Sequence, residues 1–120
     1  MLSFILLVSS HLIVIDVRNT SELLSEGKIT GTKNVPLHEM EMGRLSLWDE
    51  HTFEKFYSFR KPKESDSIVL LSKSTKRAAR AAKFLSESGF TRVKIYNGGF
   101  EDWQKNGGKL REWKVKGKKI

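Results

Sequence analysis

Cysteine is absent from all 120 residues. Its absence excludes disulfides, thiolate zinc sites, iron–sulfur clusters and any cysteine nucleophile. A secreted disulfide scaffold is ruled out with them, and a reducing compartment is permitted rather than required. Acidic residues are few beside basic ones, 14 against 22, giving a net charge of +8. That imbalance favours acidic partners, meaning small anions, nucleic acid or an anionic surface, through long-range attraction. The lysines are spread over several segments, however, with neither an aromatic-basic ribonucleoprotein signature nor zinc-finger spacing. A solvated basic surface is the plainer reading, and nucleic acid has no strong signal.

Repeats and low-complexity tracts are also missing, and the apolar stretch inside Met1 to Ile15 is short for a membrane span. It lacks the basic flank and the small-residue cleavage site of a secretory signal, so it is expected to belong to the fold, with Phe4 to Val8 adding strand or cover. A 38% hydrophobic content over this length supplies one core without staples. One domain is expected over 1–109, followed by a basic tail over 110–120 that carries Lys114, Lys116, Lys118 and Lys119, with Trp113 available to pin it.

Strand and helix signals alternate along what remains. Leu12-Ile13-Val14-Ile15 is a β-branched run suited to a strand covered on both faces. Asn19 with Glu22 three residues on fits a capping box for a short helix stopped by Gly27. Lys33 to Pro36 offers a short strand, and the signals from Leu37 to Leu47 are mixed. Asp49 can cap a helix with Phe53, Phe56 and Tyr57 on one face. Ser67 to Leu71 is the central strand candidate. The helix after it has a narrow face of Ala78, Ala81, Ala82 and Leu85 and ends at Gly89. Arg92 to Tyr96 reads as strand, Asn97-Gly98-Gly99 as turn, and Phe100 to Gln104 as a helix carrying Trp103. This order predicts an α/β domain with a mostly parallel sheet and a site beyond the carboxyl ends of its strands.

Ser72 begins at one such end. The loop Ser72, Lys73, Ser74, Thr75, Lys76, Arg77 leads from strand to helix, where backbone N–H donors and the positive end of a helix dipole converge, so it is expected to attract anions. A hydroxyl needs an adjacent general base before it attacks anything, and the loop supplies only protonated Lys73, Lys76 and Arg77. No spacing supports a hydrolase built from Ser72 with His38 or His51, and His11 is no better placed.

Taken together, Ile15-Asp16-Val17-Arg18, Glu22, Glu26-Gly27-Lys28-Ile29-Thr30-Gly31, Asn34-Val35-Pro36, the Ser72 to Arg77 loop and Gly98-Gly99-Phe100-Glu101-Asp102-Trp103 resemble a single-domain rhodanese of the thiosulfate sulfurtransferase type. The resemblance runs from Leu12 to Gly108. It implies a rhodanese-like α/β fold, a central mostly parallel sheet flanked by helices on both faces, and a six-residue loop wrapping a cysteine persulfide. The related dual-specificity phosphatases use a longer cradle and a cysteine as well. In active members a thiolate takes the outer sulfur of thiosulfate and passes it to cyanide or another thiol, which needs an easily ionised, polarisable atom.

Serine occupies that position here, Thr75 stands at the family's loop glycine, and Lys28 stands at its histidine. Thr75 restricts backbone conformations that a tight cradle needs. Arg77 keeps the family's arginine, whose planar fork suits two oxygens of a sulfonate, sulfate or phosphate. Asp16 and Arg18, which lie near the loop in the family, either help fix it or form a buried ion pair without ligand contact. Lys73 and Lys76 either steer anions or are simply solvated.

The expected function is a rhodanese-like domain, catalytically silent through Ser72, that retains an anion-binding loop. The alternatives are an active sulfurtransferase whose cysteine was changed to serine in this chain, and a basic non-enzymatic module for protein or nucleic acid. The expected partners are small sulfur-containing or other oxyanions, with a protein as a further candidate. No metal, organic cofactor or transmembrane segment is implied, and placement inside the cell is expected without separating cytoplasm from mitochondrion.

Overall fold

A computed structural model describes residues 12–105. The expectations for the N-terminal stretch up to His11 and for the basic tail lie outside the described residues. Four strands form one sheet: β1 (Ile13–Asp16), β2 (Lys33–Asn34), β3 (Ile68–Leu71) and β4 (Val93–Ile95). Their order is β2-β1-β3-β4 and every pairing is parallel. The register sets Ile13 beside Ile68 and Asp16 beside Leu71, so β1 and β3 end at the same level.

Alternation along these two strands distributes the core. Ile15, Val17, Ile68 and Leu70 point to one face with Val35, Met40, Leu45, Phe53, Ala78, Ala81, Leu85 and Phe90. Val14, Val69 and Leu71 point to the other with Ile29, Tyr96, Phe100 and Trp103. A strand with both faces covered must be apolar at successive positions, which explains the unbroken Ile68-Val69-Leu70-Leu71 run. The predicted α/β architecture with helices on both faces is the one observed.

The helices follow the expected signals. α1 (Thr20–Glu26) starts at a capping box in which the Glu22 carboxylate accepts the Asn19 amide at 2.9 Å, and it stops at Gly27, whose φ is 98°. α2 (Leu37–Glu41) and a run of turns over 42–47 fill the mixed segment. α3 (Glu50–Tyr57) is capped by the Asp49 side chain, which accepts from the Thr52 amide at 2.7 Å. The single aromatic face expected there is not complete: Phe53 is buried, but Phe56 is exposed and packs edge-on against Trp48 at 5.5 Å. Phe56 lies three residues past Phe53, at the rim of the stripe rather than under it. α4 (Thr75–Glu87) lays Ala78, Ala81 and Leu85 on the sheet, and α5 (Gly99–Lys105) buries Phe100 and Trp103. Among the described residues no helix is long and apolar enough to cross a membrane.

Strand order places the site. From β1 the chain crosses through α1 to β2 on one side, and later continues from β3 to β4 on the other. The order therefore reverses between β1 and β3, and the crevice at their carboxyl ends is where such sheets hold ligands. Asp16 and Arg18 leave β1 there, and Ser72 leaves β3.

Candidate functional site

Asp16 and Arg18 form a buried pair, each with no exposed surface. The Arg18 Nη2 and Nε donate to Asp16 Oδ2 at 2.7 and 3.0 Å, and the Arg18 amide donates to Oδ1 at 3.0 Å. Nη2 also donates to the Gly27 carbonyl at 3.0 Å, and the guanidinium carbon lies 3.7 Å from the Phe100 ring centroid. Asn34 holds this exit from β1: its amide donates to the carbonyls of both Asp16 and Arg18 at 2.9 Å. A guanidinium can be buried this deeply only where a carboxylate balances its charge.

Ser72 is fully buried at the end of β3. Its hydroxyl donates to the Ser74 carbonyl and accepts the Ala78 amide at 3.1 Å. Those two groups lie four residues apart, the spacing that opens an α-helical ladder, so the hydroxyl sits under the first turn of α4. Neither partner is a base. The amides at the start of α4, from Ser74 to Arg77, have no partner inside the helix by geometry, and the positive end of the helix dipole lies with them.

Two of the loop's three cations do not stand free. Arg77 presents its fork to Glu22, with Nη1 to Oε1 at 2.6 Å and Nη2 to Oε2 at 2.9 Å. Lys73 Nζ donates to Glu26 Oε2 at 3.2 Å. Ser74 and Lys76 are exposed, and Thr75 and Arg77 are half-buried. The Arg77 guanidinium beside Glu22 is the main cause that lowers the glutamate's pKa from 4.5 to about 2, although partial burial opposes it. The same contact raises the pKa of Arg77 above its already high ordinary value.

The loop is held from below by α5. The Phe100 amide donates to the Ser72 carbonyl at 2.8 Å. Gly99 has a φ of 75° and lies against the Lys73 carbonyl.

The structure thus gathers the predicted Ser72, Lys73 and Arg77 at one crevice with Asp16 and Arg18 beside it. Thr75 opens α4, and Ser58 is the one described non-glycine residue with positive φ. This loop therefore makes no conformational demand that a threonine resists. Lys28 is exposed. His38 lies on α2 with its imidazole 3.7 Å from Glu39, and His51 lies exposed on α3. Neither is bonded to Ser72, whose hydroxyl is taken by backbone alone. Among the described residues no group of His, Asp and Glu is arranged to hold a metal ion.

In the sequence Glu22 shows only a capping signal and Gly99 only a turn, and Glu26, Asn34 and Phe100 carry no individual role. The four-residue step from Glu22 to Glu26, which puts two carboxylates on one side of α1, is the signal that could have revealed the contact with the loop.

A family model described as a rhodanese-like domain matches residues 6–106. The chain is 36% identical over 98 residues to thiosulfate sulfurtransferase/rhodanese-like domain-containing protein 3 of Mus musculus, covering 82% of this chain and 61% of that protein. It is 31% identical over 99 residues to the thiosulfate:glutathione sulfurtransferase of Homo sapiens, covering 82% and 84% of the two. Among solved structures, a human single-domain sulfurtransferase superposes with a TM-score of 0.75 at 30% identity, over 83% of this chain and 87% of that one.

Proposed function

This chain belongs to the family of rhodanese-like domains, and from that membership together with the oxygen at position 72 we propose a domain that captures small oxyanions at its 72–77 loop without forming a persulfide. The names of its relatives point to thiosulfate or a similar sulfur oxyanion as the ligand. The observation that carries the reading is the buried Ser72 hydroxyl, engaged by the Ser74 carbonyl and the Ala78 amide with no base in contact. An alcohol in that setting stays protonated. It lacks both the easily formed anion and the polarisable outer shell that sulfur transfer uses. What the loop keeps is electrostatic: the first amides of α4, its dipole, and the cations Lys73, Lys76 and Arg77.

Incubation with thiosulfate and cyanide, with thiocyanate measured, tests the silent half of this proposal. The expected rate equals that of Ser72→Ala. Clear turnover that Ser72→Ala abolishes overturns it. Binding is tested separately, by titrating thiosulfate while following the amides of 73–78 by NMR.

A further inference from the structure

Glu22 is fixed at both ends. Its Oε1 accepts the Asn19 amide at 2.9 Å and Arg77 Nη1 at 2.6 Å, while Oε2 accepts Arg77 Nη2 at 2.9 Å. The bond to Asn19 closes the start of α1, so the carboxylate is tethered to backbone instead of swinging freely. A guanidinium offers a planar fork for two oxygens, and here the fork is filled.

One turn along α1, Glu26 stands 3.2 Å from Lys73 Nζ and 3.8 Å from Arg18 Nη1. That Nη1 is buried and makes no hydrogen bond of its own. Two of the loop's three cations are thus matched by carboxylates of α1. Lys76 has no carboxylate partner among the described residues.

We propose that Glu22 sets the oxyanion affinity of the 72–77 loop by serving as its resident anion. An external oxyanion reaches the Arg77 fork only when the Glu22–Arg77 contact opens, so every ligand competes with a carboxylate already in place. This inference rests on the proposed function of the loop. Its consequence is selectivity. A monoanion offers the fork no more than Glu22 does, whereas a dianion such as thiosulfate or sulfate brings a second charge and further oxygens for Lys76 and the amides of α4. Because Arg77 keeps Glu22 ionised down to about pH 2, the competition persists throughout the neutral range.

Isothermal titration of thiosulfate into the 120-residue chain, Glu22→Gln, Arg77→Gln and the double variant tests this. Glutamine keeps an acceptor for the Asn19 amide, so the cap survives while the charge facing Arg77 is removed. The expected result is roughly tenfold tighter binding by Glu22→Gln, within the usual range of couplings between linked contacts, and loss of that gain in the double variant. Affinity of Glu22→Gln no greater than that of the unaltered protein overturns the inference; if Arg77→Gln is then weaker than both, the loop remains an oxyanion site. Absence of thiosulfate binding in all four overturns the proposed capture and this inference together. If circular dichroism shows Glu22→Gln unfolded, Glu22→Ala replaces it, since it removes the same charge, with the same expected gain and the same overturning result.

Discussion

Gly99 is pressed against the carbonyl of Lys73: a Cβ built on this glycine would stand 2.3 Å from that oxygen, and its φ of 75° is one that side chains resist. The start of α5 and the 72–77 loop therefore touch backbone to backbone. The bond from the Phe100 amide to the Ser72 carbonyl fastens the same junction. Gly99→Ala must shift the loop as well as strain the turn, and a destabilisation of about 2 kcal/mol is expected. Chemical denaturation measures the loss, and amide exchange should rise first at 73–77. Unchanged stability and exchange would mean that the junction yields without resistance. By contrast, a Cβ at Gly27 meets nothing within 4 Å, so Gly27→Ala carries only the backbone strain of its φ.

The Asp16–Arg18 pair is expected to behave as a unit. Each side chain is fully buried, so deleting one leaves the other as an uncompensated charge. Arg18→Ala should destabilise the domain by about 3 to 5 kcal/mol, and it also removes the cation packed on Phe100. Because single removal is penalised by the orphaned partner, Asp16→Asn combined with Arg18→Ala should lose much less than the two single losses added. Urea unfolding of the four proteins gives the coupling, and additive losses would contradict it.

Glu22 makes stability depend on pH at the acidic end. Its folded-state pKa is lowered from 4.5 to about 2, first by the hydrogen bond to Arg77. The charged carboxylate therefore contributes stability that is complete above pH 4.5 and is lost as pH falls from there towards 2. Thermal unfolding over that window should decline less steeply for Glu22→Gln than for the unaltered protein. Parallel curves would place the acid sensitivity in other carboxylates.

Much of this arrangement is legible in the sequence because it follows local rules. The β-branched run before Asp16, the apolar Ile68 to Leu71, the cap at Asn19 and the stop at Gly27 each name their element without reference to the rest. The reversal of strand order between β1 and β3 is not local, yet the alternation of strands and helices already implies a crevice at the strand ends, and Ser72 falls there. What stays hidden is pairing across the crevice. Glu22 and Arg77 are 55 residues apart, and nothing in a capping signal tells which cation its carboxylate will meet. Gly99 is similar. A glycine after Asn97-Gly98 looks like a turn residue, and only the packing of α5 shows that the adjoining carbonyl excludes a side chain. Phe56 fails for the opposite reason: its spacing suits a buried face, but α3 is short and the ring lies at the edge, where Trp48 covers only part of it.

Restoring sulfur at position 72 is the sharpest test of how much of a transferring loop survives. The Ser72 hydroxyl bridges the Ser74 carbonyl and the Ala78 amide. A thiol is a weaker donor, so Ser72→Cys should relinquish the bond to Ser74. As a thiolate it would still accept from Ala78. The start of α4 and Lys76, which has no carboxylate partner among the described residues, both favour its anion, which should bring its pKa well below the ordinary thiol value. Ser72→Cys is therefore expected to produce thiocyanate from thiosulfate and cyanide, and to gain the mass of one sulfur atom when thiosulfate is supplied alone. Since Thr75 already occupies an ordinary helical position at the start of α4, adding Thr75→Gly should improve the rate little. A Ser72→Cys protein that folds yet takes up no sulfur would show that the cradle, and not the atom at 72 alone, falls short of sulfur transfer, with the fork held by Glu22 as the first feature to relieve.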